Sequence, residues 1–300
     1  MKNKKLTVTV GIPAYNEEKN IKLLIKKILS QKENGFILQK IIIVSDACTD
    51  NTESISKSFK NPKIFLIKNN KRLGQSVAQN QIIKSTNSDV LIILEADTLP
   101  EGSNYIANLL KPMIMDKDIV LVQGNEKPQV AKSFIGNVFS QQFTVYNEEL
   151  IRQPKLRSWI TSGRGGRALR KNLYKAFRWQ REVPEDVYLH LFCKNKGLKN
   201  EFAIDAVCKY KSPETYSDIK KEVRKVASGI YAVYKYFPKA LVEQMYNKPF
   251  NFRIKCALRF LRTNPFYFIS YSFSILFIFK SRKSFTDILP VTQTTKQVYE

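Results

Sequence analysis

Three hundred residues, 43% of them hydrophobic, suffice for one large domain or two ordinary ones with a buried core, which excludes a peptide or a disordered tail. Fifty Lys and Arg against 26 Asp and Glu give a net charge of +24, so a polyanionic partner or surface is expected: nucleic acid, lipid headgroups or phosphorylated substrates. The four cysteines (Cys48, Cys193, Cys208, Cys256) form no C-x-x-C pair and the single histidine is His190, which excludes a disulfide scaffold and a structural zinc domain.

Residues 1–5 are basic, but the apolar run behind them is short and ends at Gly11-Ile12-Pro13, a strand entering a turn rather than a secretory signal. A cytoplasmic, reducing location is expected for this part. Apolar, β-branched runs at residues 6–12, 40–44, 64–67, 90–94 and 119–122 each predict a strand buried on both faces. Between them, Ile21, Leu24, Ile25 and Ile28 fall at i, i+3, i+4, i+7, and Val77 and Ile82 mark a second amphipathic helix. Alternating strands and helices imply an α/β, Rossmann-like, mostly parallel sheet flanked by helices. Further on, the pattern predicts helices over 134–150, from Pro184-Glu185-Asp186 onward and over 217–236, with a strand over 201–207.

Ligands of such sheets bind beyond the carboxyl ends of the strands. There the sequence is polar: Pro13-Ala14-Tyr15-Asn16-Glu17-Glu18 after the first run, Ser45-Asp46 through Asp50-Asn51-Thr52 after the second, Asn70-Lys71-Arg72-Leu73-Gly74 after the third, and Glu95-Ala96-Asp97 after the fourth. Each stretch alone is a common helix start or cap. Their order and spacing, with Asn80 and the later Glu185-Asp186, resemble the inverting family 2 glycosyltransferases of the GT-A fold, over roughly residues 6–230.

The resemblance implies a role for each position. Pro13 lies in the first motif; Tyr15, Glu17 and Asp46 would hold the nucleoside, Tyr15 through its flat face and Asp46 by accepting a base N–H. Gly74 would let backbone approach the diphosphate, with Lys71 or Arg72 adding charge. Asp97 matches the metal-binding Asp of the family's Asp-x-Asp motif, so Mg²⁺ or Mn²⁺ is expected, while Glu95 replaces the first Asp at the ribose. Asp186 matches the base that takes the acceptor's proton, and a helix N-terminus favours its ionised form; Glu185 would orient acceptor or base. His190 shares the helical face of Asp186 but reads more simply as a packed residue. Polymer-elongating members carry Gln-x-x-Arg-Trp; here Lys221-Glu222-Val223-Arg224-Lys225 lacks the Gln and the Trp, which argues against a processive synthase and leaves Arg224 as a diphosphate contact. Residues 162–170 resemble the family's glycine-bearing acceptor loop.

Ten cations and no acid lie between Arg152 and Arg181, either a solvated basic face or a surface for phosphate or anionic headgroups. Near the end, Arg253, Lys255, Arg259 and Arg262 alternate with Phe252, Ile254, Leu258, Phe260 and Leu261, as in a basic helix lying on a membrane. The uncharged run 266–279 rises roughly 21 Å as a helix, short of the roughly 30 Å hydrocarbon core, so an interfacial or re-entrant segment fits better than a span. A core helix covering the domain is the other reading.

The expected organisation is a GT-A domain over 1–245, with a nucleotide-sugar half to about 125 and an acceptor half beyond it, a basic and aromatic helical membrane-associated segment over 246–283, and a polar tail over 284–300. The expected activity is metal-dependent transfer of a sugar from a UDP- or GDP-linked donor to a glycan or lipid-linked acceptor, at the cytoplasmic face of a membrane and its anionic surface. The competing readings are an inactive membrane scaffold of the same fold and a nucleic-acid-binding protein; carboxylates clustered at strand ends argue against the latter, and no nucleic-acid partner is expected.

Overall fold

The structure, a computed structural model, describes residues 5–161 and 163–280. The tail expected over 284–300 and Ser162 of the glycine-bearing loop lie outside the described residues.

In chain order the elements are β1 (Leu6–Ala14), α1 (Ile21–Leu29), β2 (Phe36–Asp46), α2 (Thr52–Ser58), β3 (Ile64–Asn69), α3 (Gln75–Lys84), β4 (Val90–Ile93), β5 (Thr98–Pro100), α4 (Tyr105–Met115) and β6 (Ile119–Pro128). There follow α5 (Phe134–Ile151), α6 (Pro154–Arg157), β7 (Arg167–Arg170), α7 (Lys171–Ala176), α8 (Glu185–Asn195), β8 (Lys199–Tyr210), α9 (Tyr216–Val233), α10 (Lys239–Tyr246), α11 (Phe250–Thr263) and α12 (Pro265–Lys280).

Among the described residues the strands form one sheet in the order β3-β2-β1-β4-β7-β6-β8-β5. Strands β1 to β4 are parallel, β7 inserts antiparallel between β4 and β6, and β5 runs antiparallel on β8. The strand period of two explains the continuous apolar runs. Ile41, Ile43, Val90 and Ile92 face a core shared with α1 and α4, whereas Ile42, Val44, Leu91 and Ile93 face a second core shared with α3, α7 and α8. All four apolar positions read for α1 are fully buried, each contributing about 1.5–3 kcal/mol of gross hydrophobic stabilisation. Strand β3 departs from expectation. Among the described residues it is an edge of the sheet, and its Phe65 is 44% exposed.

Two strands escaped the sequence reading. Strand β5 has three residues, and β7 reads Arg-Ala-Leu-Arg inside what looked like a loop over 162–170. A third core joins α11 to the rest of the chain: Phe252, Cys256 and Phe260 pack with Val145 and Leu150 of α5, with Ile160, and with Phe202 of β8.

Candidate active site

Because β1, β2 and β4 are parallel, their carboxyl ends share one edge of the sheet, and the loops that follow meet there. Pro13 lies past Gly11, the last residue through which β1 pairs with β4, so its missing N–H removes no bond to β4. Beyond it Asn16 and Ala47 both take the left-handed conformation, with φ of 54° and 60°. These two turns are tied together. The backbone N–H of Thr49 donates to Asn16 Oδ1 (2.8 Å), that of Glu17 to Thr52 Oγ1 (2.7 Å), and that of Glu18 to Asp50 Oδ2 (3.0 Å). Burial would raise the Asp50 carboxyl, but the Thr52 hydroxyl and the Glu18 and Thr52 N–H groups outweigh it and hold the group below its usual value.

Asp46, at the end of β2, accepts from Asn69 Nδ2 (2.9 Å), Leu73 N (2.9 Å) and Gly74 N (2.8 Å), so one carboxylate shapes the loop ahead of α3. That loop needs Gly74, whose φ of 95° is a conformation L side chains rarely adopt. Glu17 is buried, with its Oε2 accepting from Asn20 Nδ2 (2.8 Å), and the Arg72 guanidinium lies 3.9 Å from the Tyr15 ring centroid.

The second cluster forms where β4 ends beside α8. Antiparallel β7 brings its first residue, Arg167, level with Ile93 of β4 and Gln123 of β6. The Arg167 guanidinium is fully buried, 3.7 Å from Glu185 Oε1 and 4.0 Å from Glu95 Oε1, and its nitrogens make no hydrogen bond among the described residues. Gln75 at the start of α3 donates Nε2 to the same two oxygens, at 3.1 Å and 3.3 Å. Glu95 and Glu185, far apart in sequence, are thereby held side by side. Gly163 passes directly over them: a methyl group there would sit 3.1 Å from Glu95 Oε1, 3.8 Å from Glu185 Oε1 and 3.9 Å from Asp186 Cγ. The first turn of α8 is fixed from behind, since Trp179 Nε1 donates to the Glu185 carbonyl (3.1 Å) while Asn80 bonds the Trp179 backbone through both its N–H and its carbonyl.

Charge around this cluster is dense. Burial pushes the Glu126 carboxyl up to about 7, aided by Asp186 and Glu95 and opposed by Arg164, whose backbone N–H also donates to Glu126 Oε2 (3.1 Å). Arg164 pairs with Glu222 of α9 at 2.8 Å and lies over the Tyr210 ring at 4.7 Å; Glu222, Tyr210, Asp97 and Glu95 hold it protonated against its burial. Lys225, one turn beyond Glu222, is likewise held charged against burial by Glu222, Glu185 and Glu95. The named carboxylates outnumber Arg164, Arg167 and Lys225, and their oxygens are hard donors of the kind that Mg²⁺ and Mn²⁺ prefer. Among the described residues no three His, Cys, Asp or Glu side chains are gathered as a ready-made metal cage. A divalent ion held by one of these carboxylates would take its remaining ligands from substrate oxygens and water, the usual habit of Mg²⁺.

A sequence profile described as Glycosyl transferase family 2 matches residues 9–176, more than half of the chain. The chain belongs to glycosyl transferase family 2. Among family relatives, the poly-beta-1,6-N-acetyl-D-glucosamine synthase of Staphylococcus aureus is 24% identical over 232 residues, 75% of this chain and 55% of that protein. The UDP-Glc:alpha-D-GlcNAc-diphosphoundecaprenol beta-1,3-glucosyltransferase WfgD of Escherichia coli is 25% identical over 146 residues, 48% of this chain and 54% of that one. The chain spans about half the length of the curated relatives it matches. Among solved structures, the mannosyltransferase PcManGT from Pyrobaculum calidifontis, in complex with GDP-Man and Mn²⁺, superposes with a TM-score of 0.65 at 16% identity, covering 93% of this chain and 77% of that one. Glucosyl-3-phosphoglycerate synthase from Mycobacterium tuberculosis, with Mn²⁺, UDP and phosphoglyceric acid, gives 0.52 at 16% identity over 78% and 80% of the two chains. These likenesses establish the α/β GT-A-like fold.

Seen as a family 2 domain, the site adds detail to the sequence reading at several positions. Arg224 is exposed, while its neighbour Lys225 interacts with the Glu222, Glu185 and Glu95 carboxylates. His190 is a core residue: it is fully buried, its Nδ1 lies 3.0 Å from Gln123 Nε2, and burial, with Lys194 and Lys248 adding, pulls its pKa down to about 3. The run from Arg152 to Arg181 is not one basic face. Arg167 enters the site, Arg164 pairs with Glu222, and Arg170 donates to the carbonyls of Ile119 and Met113. Gln75, Glu126, Arg167 and Lys225 were missed as site residues. Gln75 directly follows Gly74 at a helix start, Arg167 lies in the glycine-bearing stretch 162–170 and Lys225 ends the Lys221-to-Lys225 segment, whereas nothing local marked Glu126.

Proposed function

We propose that the chain is an inverting, metal-dependent glycosyltransferase that moves a sugar from a nucleotide diphosphate sugar to an acceptor hydroxyl or phosphate, in the synthesis of a membrane-proximal glycan or glycolipid. The observation that carries this reading is the meeting of Glu95, from the loop after β4, with Glu185 and Asp186 of α8 beneath Gly163, with Asp97 two residues beyond Glu95 in the same loop. The nucleotides and Mn²⁺ bound in the solved relatives, and the glycan and lipid-linked acceptors of the sequence relatives, support it.

In this reading the nucleoside lies over the loops after β1 and β2, against Tyr15, Glu17 and Asp46, and the diphosphate reaches Gly74 and Asp97. Asp97 would hold a divalent ion, whose charge would offset that of the leaving diphosphate. Lys225 and Arg164 add fixed positive charge on the acceptor side, in preference to Arg224. Asp186 accepts the proton of the acceptor O–H as the new C–O bond forms at the anomeric carbon; the bond to the diphosphate breaks with its electron pair leaving on the phosphate oxygen. Attack opposite the leaving group inverts the anomeric centre. Glu185, fixed by Arg167 and Gln75, orients the acceptor beside the base. With Lys225 where a polymer synthase of this family carries Trp, a single addition per encounter is the natural outcome.

Equilibrium binding tests this reading. UDP or GDP should bind in the presence of Mn²⁺, lose at least about tenfold in affinity with EDTA or in Asp97→Ala, and bind normally in Asp186→Asn. Nucleotide binding that ignores both the metal and Asp97 contradicts it.

A further inference from the structure

The C-terminal helices turn apolar side chains outward. On α11, Phe252, Cys256 and Phe260 are buried in the third core, while Phe250, Ile254, Leu258 and Leu261, at i, i+4, i+8 and i+11 on the opposite face, are 78%, 43%, 48% and 50% exposed. Helix α12 is reversed relative to a water-facing helix. Its polar side packs inward: Tyr271 stacks on Phe260 and Tyr146 at 5.2 Å and 5.8 Å, and Ser274 is buried. Its outer side carries Phe266, Ile269 and Phe273, 51%, 61% and 54% exposed. The patch continues onto the start of α5, where exposed Phe134 meets Phe266 edge to face at 5.4 Å.

Monomeric proteins rarely expose so contiguous an apolar surface without an occupant. Charge identifies the occupant. Neither α11 nor α12 contains an Asp or Glu, and the exposed cations Lys255 and Arg262 flank the outer stripe of α11, while Arg259 is held by Glu148 and Glu149. A two-fold contact with a second copy would set these cations against themselves. Sixteen residues of α12 rise about 24 Å, and no helix among the described residues is long and apolar enough to cross a membrane.

We infer that the outer face of α11 and α12, extended by Phe134, lies in the surface of an anionic lipid bilayer, with Phe250, Ile254, Leu258, Leu261, Phe266 and Ile269 among the acyl chains and Lys255 and Arg262 at the headgroups. Aromatic and basic side chains on one helix face are the composition this location favours. The inference stands on this surface alone and does not depend on the proposed transfer reaction. Helix α9, which carries Glu222 and Lys225 to the site, also packs against α12, so a docked molecule holds its acceptor side near the lipid surface.

Co-sedimentation of the purified full chain with vesicles of phosphatidylcholine alone or with 30 mol% (about one lipid in three) phosphatidylglycerol tests the inference. The expected result is binding to the anionic vesicles at least about tenfold stronger than to the neutral ones and weakened by salt. Ile254→Ser/Leu258→Ser/Leu261→Ser and Lys255→Gln/Arg262→Gln should each lose most of it while keeping the melting temperature and Mn²⁺-dependent nucleotide binding of the parent. Failure of the parent to bind anionic vesicles, or unchanged binding by the serine variant, overturns the inference. So does a sedimentation-velocity oligomer that the serine variant dissolves, which would make a second copy the occupant. Nucleotide binding in every variant separates these failures from failure of the transferase reading.

Discussion

Glu126 shows how one residue reports on its neighbourhood. Desolvation, Asp186 and Glu95 together hold its carboxyl at about 7, above the 4.5 of an unperturbed Glu, so between those pH values the folded chain binds a proton that the unfolded chain has released. The sign follows: the associated stability is fully present below about pH 4.5 and is lost as pH rises through about 7. Glu126→Gln imitates the protonated form and removes this dependence. Melting curves at pH 5.5 and pH 8, which lie about on either side of this transition, should show the parent losing on the order of a few degrees more than the Gln variant. Equal pH slopes would mean that Glu126 ionises freely in the fold. Residues of this kind were not legible beforehand. Arg167 sat among ten cations that read as either a solvated face or an anion-binding surface, and the antiparallel insertion of β7 brings it to Glu95 and Glu185. The positions of Tyr15, Asp46 and Asp186 could be read beforehand, because Tyr15 directly follows β1, Asp46 ends β2 and Asp186 lies in the first turn of α8, where topology fixes the edge of the sheet they reach.

At the scale of elements, the legible parts are those whose environment repeats along the segment. The strands β2, β4 and β6 are covered on both faces, so each contains a continuous apolar run; β7 and β5 are short and held by pairing, so they carry no such signature. Helix α9 illustrates the limit of motif matching. The Lys221-to-Lys225 segment matched a family pattern best at Arg224, yet helical geometry sets Asp218, Glu222 and Lys225 on one face, at i, i+4 and i+7, and leaves Arg224 exposed on another. Lys225→Met should therefore lower sugar-transfer turnover by about tenfold or more, whereas Arg224→Met should change it by less than about twofold. The reverse order of sensitivities in steady-state kinetics would restore Arg224 to the diphosphate. Helices α11 and α12 were visible as basic and aromatic segments, but which of their two faces turns inward is decided by packing on α5, and the inward choice of Tyr267, Tyr271 and Ser274 could not be read from composition.

For the whole molecule, the excess of +24 is distributed unevenly. Carboxylates gather at the carboxyl edge of the sheet, several cations of the central run are spent on carbonyls and ion pairs inside the fold, and the exposed cations Lys255 and Arg262 lie on the acid-free helix α11. One chain thus combines an acidic centre suited to a metal-bound diphosphate with a basic, apolar face suited to lipid. The account rests most heavily on Asp186 as the group that receives the acceptor's proton. Its most direct test is nucleotide release and product formation with a panel of UDP- and GDP-sugars and Mn²⁺, comparing the parent with Asp186→Asn, and reading the anomeric configuration of the product. Metal-dependent transfer with inverted configuration, reduced by about a thousandfold or more in Asp186→Asn while nucleotide affinity is retained, is the predicted result. Transfer with retained configuration, or an Asp186→Asn variant as active as the parent, would contradict it.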